Sequence, residues 1–584
     1  MNSGSAPNLA LSRHKPPSRS CKECYRRKLK CDRAHTCSNC LRGCITCVYT
    51  NEPIRRDRKS KRRAQESVQD TTLVLQPHPG RLLAGKHGKS RLLRDTCWAR
   101  PCIELVDSRG IQDDPAYYLG PSSTGILFYE SFLFRTTAPQ VQTEIVNPPF
   151  YQIRQLWDIY VHNVDPLVKI LHKPSVEQVL DGLSSSENGP RPELRALILA
   201  ICYAAVSSLP SSQVRAEFAF GSESYVASFR SALEKALTDA QLSQTNDLRV
   251  LQAFIIYLTC LPRKEARSIS LQASLAVRIS RAMGLHRDGS IFELPPFETE
   301  MRRRIWWYLC ILDWRAAEDA DLEITIMPSS FDTKMPLNIN DNDMDPGSSN
   351  IQGRHDYTEL MFSLIRFESW SLIASWGNAS LLLPLQKTIG IEEKKKAIEQ
   401  LSSHLEDTYL SRCCQIPTPF ARFLLMITPL LIAKLQLLAS YPAYCDKINA
   451  DISLTSGDKD KLFKSTIDLL EFEQILRADC ELVGWHWFFA NAHIQWHAMS
   501  LALSELCVRV EGEIEYMAWD VIERVFPSTS LESERRNKTI WEPLQALKQK
   551  ALDARYFFMS QLSTMFPSEI DDFVFDESSL DWNI

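Results

Sequence analysis

The chain has 584 residues, 44% hydrophobic and 24% charged, which exceeds one ordinary domain and supplies apolar material for a sizeable core. Residues 1–20 hold no apolar run of signal-peptide length, and the most apolar stretch, FLLMITPLLIA at 423–433, is shorter than a bilayer span and contains Pro429, so neither secretion nor membrane anchoring is expected. The net charge of −4 conceals a split, because residues 1–63 carry 17 Lys and Arg against 4 Asp and Glu and the remainder carries 50 against 67. A basic head on an acidic body suits a polyanion partner, whose condensed counterions are released on binding; a solvated basic tail is the plainer alternative.

In chain order, a tail at 1–20 is followed by a dense cysteine segment. Seven of the 17 cysteines fall between Cys21 and Cys47, and without a secretory signal such a cluster reads as metal ligands rather than disulfides. With Cys44 set aside, CKECYRRKLKCDRAHTCSNCLRGCITC has the spacing Cys-x2-Cys-x6-Cys-x5-Cys-x2-Cys-x6-Cys, two similar halves. A Cys-x-x-Cys turn chelates one zinc through both sulfurs, and six further residues, about two helical turns, return a third sulfur to it. Three sulfurs per half leave each tetrahedral zinc one ligand short unless two sulfurs bridge, so the spacing points to a binuclear cluster that folds only with metal. A single zinc on Cys21, Cys24, Cys37 and Cys40, or a redox pair of Cys-x-x-Cys sites, are the alternatives. Cys44 has no mirror in the first half, where the equivalent position is Lys28.

These residues resemble the fungal Zn₂Cys₆ binuclear cluster family of transcription factors. The resemblance implies Cys21, Cys24, Cys31, Cys37, Cys40 and Cys47 as ligands of two Zn²⁺, with Cys21 and Cys37 bridging, and a helix after Cys24 placed in the major groove of double-stranded DNA. Where the family often has proline before the fourth cysteine, this chain has Thr36, so the loop conformation there is open. By position, Lys28 is the base-reading lysine, with Arg27 beside it, on a half-site of CGG type, since Lys and Arg commonly contact guanine O6 and N7. Arg26, Lys30, Arg33 and Arg42 fit phosphate contacts, with solvated charge the alternative for each. Leu29, the lone apolar residue of YRRKLK, is expected to pack on the cluster.

The cysteine module at 21–50 leads into a basic linker at 51–115. RRDRKSKRR at 55–63 places Arg55, Arg56, Arg58, Lys59, Lys61, Arg62 and Arg63 together, a nuclear import signal or a phosphate-contacting arm. A heptad register through Lys61, Ala64, Val68, Thr71 and Leu75 lasts barely two heptads before Pro77, Pro79 and Gly80, so the readings left open are a monomer on DNA and a homodimer made by the large domain.

Residues 116–565 read as one helical body. Leu271, Leu275, Ile279, Ala282 and Met283 recur at helical spacing before Gly284, a residue suited to a left-handed helix end. Met301, Ile305, Leu309 and Leu312 mark a second amphipathic helix. The run Arg302 to Arg304 reads as a salt-bridged or solvated face rather than a second nucleic-acid patch. Five landmarks, YYLGPSS from Tyr117, LWDIYVHNVDPLVKILHKPS from Leu156, GLHRD from Gly284, RRRIWWYLCILDWR from Arg302 and MPLNINDNDM from Met335, resemble the middle homology region found behind such clusters, over roughly 80–510. That resemblance implies an all-α regulatory domain, and hence a mainly α chain with a small zinc module ahead of it.

Enzyme signatures fail. GKHGKS at 85–90 has Leu83 where a phosphate loop needs its first glycine, and neither H-E-x-x-H nor G-x-S-x-G occurs. His286 reads as structural. His486, His493 and His497 in WHWFFANAHIQWHAMS read as core packing before a metal site, and their neighbouring tryptophans as a conceivable ligand pocket. The end of the chain, 566–584, interleaves Glu569, Asp571, Asp572, Asp576, Glu577 and Asp581 with Ile570, Phe573, Val574, Phe575, Leu580 and Trp582, a pattern that fits a coactivator groove or, more plainly, a frayed acidic tail. The expectation is a nuclear, sequence-specific regulator of RNA polymerase II genes, an activator that contacts coactivators through 568–584 and controls a metabolic or secondary-metabolite gene cluster, with no enzymatic activity. A repressor or scaffold of the same family is the alternative, and a zinc or redox thiol protein the remoter one.

Overall fold

The computed structural model describes residues 20–21, 24, 30–34, 36–42 and 46–49, a hairpin at 81–84 and 90–93, and 148–565 except 184–188, 219–221, 263–264, 321, 377–388, 446–455, 489–495, 510–511 and 527–537. The chain divides into two compact units, Met1–Val74 and Leu75–Ile584. The expectations for Arg26, Arg27, Lys28, Leu29, Cys44, the basic arm from Arg55 to Arg63, the heptad register, the Tyr117 landmark, His493 and the C-terminal tail all lie outside the described residues.

The described residues of the first unit include a short helix, α1 (Ser38–Arg42). The second opens with an antiparallel hairpin, β1 (Arg81–Ala84) and β2 (Ser90–Leu93), in which Arg81 stands opposite Leu93 and Ala84 opposite Ser90. The hairpin lies within the segment 51–115 read as a basic linker. In the sequence, two similar short runs, RLLA and SRLL, flank Gly85 and Gly88, which is a hairpin signal.

The remaining regular structure among the described residues is helical: α2 (Phe150–Asn163), α3 (Lys173–Leu183), α4 (Pro192–Ser208), α5 (Ser211–Phe218), α6 (Ser222–Asp239), α7 (Leu248–Cys260), α8 (Ala266–Ala282) and α9 (Pro296–Ala320). It continues with α10 (Met361–Ser375), α11 (Ile391–Leu405), α12 (Pro419–Cys445), α13 (Ser456–Ala478), α14 (Trp496–Leu506), α15 (Glu513–Val525) and α16 (Lys538–Met565), joined by short 3₁₀ and π turns. The α4 helix starts with Pro192 in its first turn and Glu193 beside it, both suited to a helix N-terminus. Every residue from Ala196 to Val206 is buried, because α2, α6 and α7 cover α4 on several sides. A helix apolar all round is stable only when enclosed in this way.

Helix α8 corrects the expected face. Its buried side is Ala266, Ile269, Ser270, Ala273, Ala276, Val277 and Ser280, whereas Leu271 is 64% exposed. That side mixes small residues with Ile269, Val277 and Ile279, and Leu275 and Met283 are partly buried against the same core. Ile279 is buried, and Gly284 takes φ +78°, the left-handed end expected of it. In α9, Met301, Ile305, Leu309 and Leu312 are all buried.

The 11-residue apolar stretch belongs to a longer helix than its sequence suggests. Pro419–Ser440 is long and apolar enough to cross a bilayer by length and composition. Within this domain it is a core helix packed on α10, α11, α13 and α14, with Lys434 paired to Glu318 of α9 at 3.1 Å and lying over the Trp314 ring.

Each arginine of the 302–304 run has its own acidic partner. Arg302 donates to Glu298 (3.1 Å) and to the Met283 carbonyl (3.0 Å), and Arg303 makes a two-pronged pair with Asp288 (2.8 Å each). Arg304, fully enclosed, reaches Glu300 (3.3 Å) and Asp341 (2.7 Å). Asp341 also accepts from Lys169 (2.8 Å), which meets Asp165 (2.6 Å) and Glu359 (2.7 Å). The landmarks around Asp165, Asp288, Arg304 and Asp341, separate in sequence, thus meet in buried ion pairs that tie α2 and α9 to the 332–344 loop. The reading of a salt-bridged face holds, with the qualification that Arg304 is core and not solvated.

Candidate metal centre and nucleic-acid interface

Asp32 positions the second half of the cysteine segment. Its carboxylate accepts from the Ser38 amide (3.0 Å), the Ser38 hydroxyl and the Ala34 amide (3.4 Å), so it holds the first residue of α1. Asn39 donates to the Lys30 carbonyl at 3.0 Å, linking α1 back to the end of the first half. Between them Arg33 and Thr36 take φ +61° and +70°. Proline is held near φ −65° by its ring, so the conformation at Thr36 is closed to it, and threonine at this position goes with a different local path.

The six sulfurs named from the sequence come together in two groups. Cys21, Cys24, Cys31 and Cys37 place their sulfurs within 4.8 Å of one another, as do Cys21, Cys37, Cys40 and Cys47. Cys21 and Cys37 belong to both groups, and Cys24 and Cys40 share none. The sulfur separations Cys24–Cys37, Cys21–Cys40 and Cys21–Cys37 are 3.5, 3.6 and 3.7 Å. A zinc tetrahedron with bonds of about 2.3 Å has edges of about 3.8 Å, so the donor set fits two four-sulfur metal positions with a shared edge. The same separations are far beyond a disulfide bond of about 2.05 Å, and all six thiols are free.

The electrostatics favour a cation here. Cys21, Cys24, Cys37 and Cys40 are buried. Burial, reinforced by the adjacent Cys37 sulfur, pushes the Cys24 thiol up to about 12, and burial likewise raises Cys21 and Cys40. Packed without positive charge these sulfurs resist ionisation; a divalent ion makes thiolates stable at neutral pH. Burial also acts to raise Cys31, but hydrogen bonds from the backbone and from Tyr49 outweigh it and bring that thiol down to about 6. Tyr49, which sequence reasoning does not single out, donates to the Ala34 carbonyl (2.9 Å) and lies 3.5 Å from the Cys31 sulfur. Its position two residues beyond Cys47 is the available signal.

Of the expected DNA contacts, Lys30, Arg33 and Arg42 are exposed on the cysteine unit, as the partners of phosphates must be. The histidine-rich stretch gives no metal group among the described residues. His486 faces the Asp479 carbonyl at 3.0 Å and His497 faces Glu318 at 3.4 Å. Two of the tryptophans expected to line a ligand pocket instead close the C-terminus of α2, where Trp485 and Trp487 donate to the His162 and Asn163 carbonyls (3.1 and 3.0 Å). His286 lies beside Trp306, with ring centroids 6.1 Å apart, a structural place. A further acidic group, Asp165, Asp341 and Glu359, surrounds the Lys169 ammonium where a metal would otherwise fit.

Residues 157–408 match the family described as the fungal specific transcription factor domain, a narrower span than the expected 80–510 and one that leaves out the Tyr117 landmark. The chain is 28% identical over 555 residues to the "Aurofusarin cluster transcription factor aurR2" of Gibberella zeae, covering 92% of this chain and 80% of that protein. It is 26% identical over 572 residues to the "C6 finger domain transcription factor nscR" of Arthroderma benhamiae, covering 90% and 79%. To the "C6 finger domain transcription factor adaR" of Aspergillus niger it is 28% identical over 396 residues, which is 63% of this chain and half of that protein. Six clustered cysteines thus lie ahead of a helical segment that matches the fungal specific transcription factor domain.

Proposed function

We propose that this chain is a nuclear transcriptional regulator that binds DNA through a binuclear zinc cluster at residues 21–50. The observation that carries the reading is the division of six sulfurs into two quartets that share Cys21 and Cys37. Two Zn²⁺ would be held by Cys21, Cys24, Cys31, Cys37, Cys40 and Cys47, and the metal charge would let the sulfurs ionise and fix the short module. Lys28 and Arg27 read a CGG-type half-site, while Arg26, Lys30 and Arg33 meet phosphates and fix register. The basic run from Arg55 to Arg63 serves nuclear import and adds nonspecific affinity for DNA. The linker at 51–115, the regulatory domain at 116–565 and the tail at 566–584 complete the organisation. Gene activation through coactivators bound by 568–584 is the direction of control we favour, and regulation rather than catalysis is the role of the helical body.

Relatives named for the aurofusarin cluster and for the pyriculol/pyriculariol biosynthesis cluster support a secondary-metabolite gene cluster as the target here. Native mass spectrometry and metal analysis of the full chain test the centre. Two zincs per chain that survive mild reductant are expected; one zinc, or thiols cycling reversibly as disulfides, would overturn the reading. Genome-wide binding with motif extraction then tests the half-site, and its spacing reports whether the protein acts as a monomer or a homodimer.

A further inference from the structure

Among the described residues, the buried cations Arg304, Lys169 and Lys434 meet carboxylates. Arg366 of α10 does not. It is only 8% exposed, and among the described residues no carboxylate lies within ion-pair distance of it. Its guanidinium sits over three rings, Phe362 and Phe488 at 5.3 Å each and Tyr308 at 5.8 Å, and its polar contacts are neutral ones, the Tyr308 hydroxyl and, at a long 3.5 Å, the Leu167 carbonyl. Burial lowers its pKa to about 10, with the like charge of Arg315 acting in the same direction. A guanidinium carries five donors in a planar fork matched to a carboxylate.

One helical turn before it, on the same face, is a group with no partner at all. Ser363 is 1% exposed and its hydroxyl has no hydrogen-bond partner. Other buried hydroxyls of this domain bond back to the preceding turn, as Ser369 does to Ile365, Thr428 to Leu424 and Ser280 to Ala276. Residues three apart on a helix are neighbours, so an unpaired cation and an unused hydroxyl stand side by side among aromatic walls. Ligand sites are built in this way, from apolar lining with a few polar groups.

We propose that Arg366 and Ser363 form the recognition site for a small planar aromatic carboxylate in the helical domain. The guanidinium fork takes the carboxylate, Ser363 donates to the same group, and Tyr308, Phe362 and Phe488 enclose the ring. Such a ligand would join α9, α10 and the segment that carries Phe488, which the ring contacts already bring together. It therefore acts as an effector of the regulatory domain, independent of the zinc module.

Titration calorimetry of the full chain with benzoate, and with the uncharged isostere benzamide, tests this. Benzoate is expected to bind at least about ten-fold more tightly than benzamide, with Arg366→Gln removing the difference. Ser363→Ala guards against a folding defect at Arg366, because it deletes a hydroxyl that has no protein partner. It is expected to keep the fold, judged by circular dichroism, and to weaken benzoate about three-fold or more. Absence of benzoate binding to the wild type overturns the proposal. So does benzoate binding unchanged in folded Ser363→Ala or Arg366→Gln, which would leave Arg366 as a cation held by rings alone.

Discussion

Cys47 and Cys44 differ by three positions and by everything else that matters. Cys47 is in a quartet with Cys21, Cys37 and Cys40, and its sulfur accepts from the Cys37 amide at 3.3 Å. Cys44 falls outside the described residues, and its only assignment is the sequence symmetry that pairs it with Lys28. Metal analysis of the purified variants should give two zincs for Cys44→Ser and fewer for Cys47→Ser; the reverse pattern would reassign the ligands. Lys28→Ala should keep both zincs yet lose discrimination between CGG and altered half-sites, by about 1–3 kcal/mol in competition binding. A variant that loses zinc and specificity together would move Lys28 from reading bases to supporting the cluster.

At the scale of elements, α9 is organised by charge as much as by its apolar side. Asp341 lies between Lys169 and Arg304, so its loss leaves two buried cations short of a partner. Asp341→Asn should therefore destabilise the helical domain by about 3–5 kcal/mol in denaturant unfolding, the range found when one member of a buried pair is removed. Burial acts to raise the Asp341 carboxyl, but the adjacent Lys169 and Arg304 charges hold it well below the usual carboxylate range. A depressed folded pKa gives stability that is full above the unfolded value, about 3.9, and fades as pH falls below it. Asp165 has the opposite sign: burial and the nearby Asp341 outweigh Lys169 and push it up to about 6. It takes up a proton on folding, so its contribution falls as pH rises from about 4 to 6. Thermal melts across that window should show wild type losing stability relative to Asp165→Asn as pH increases. A constant difference would mean that Asp165 keeps its charge throughout.

The whole molecule joins a basic first unit to an acidic helical one, and the two carry different tests. DNA affinity should fall steeply with salt, and deleting residues 51–63 should reduce that slope without changing the preferred half-site. Deleting 568–584 should leave DNA binding intact and lower reporter transcription; unchanged transcription at unchanged protein level would exclude this tail as the activating segment. These readouts separate attachment to DNA from the output that follows it.

The cysteine spacing was sufficient to anticipate that the six sulfurs come together, because a chelating turn and two helical turns constrain where a third sulfur can go. The helical character of the body and the face of α9 were legible for a similar reason, since periodicity reports local geometry. What decided the rest was contact between distant segments. Leu271 of α8 is exposed although it shares the helical spacing of Ile279, and the tryptophans at 485 and 487 found their acceptors at the end of α2, more than three hundred residues earlier. The acidic partners of Arg304 and the lack, among the described residues, of a carboxylate beside Arg366 are likewise tertiary facts. Whether a buried charge is paired depends on which chain segment folds back beside it, and no local pattern records that.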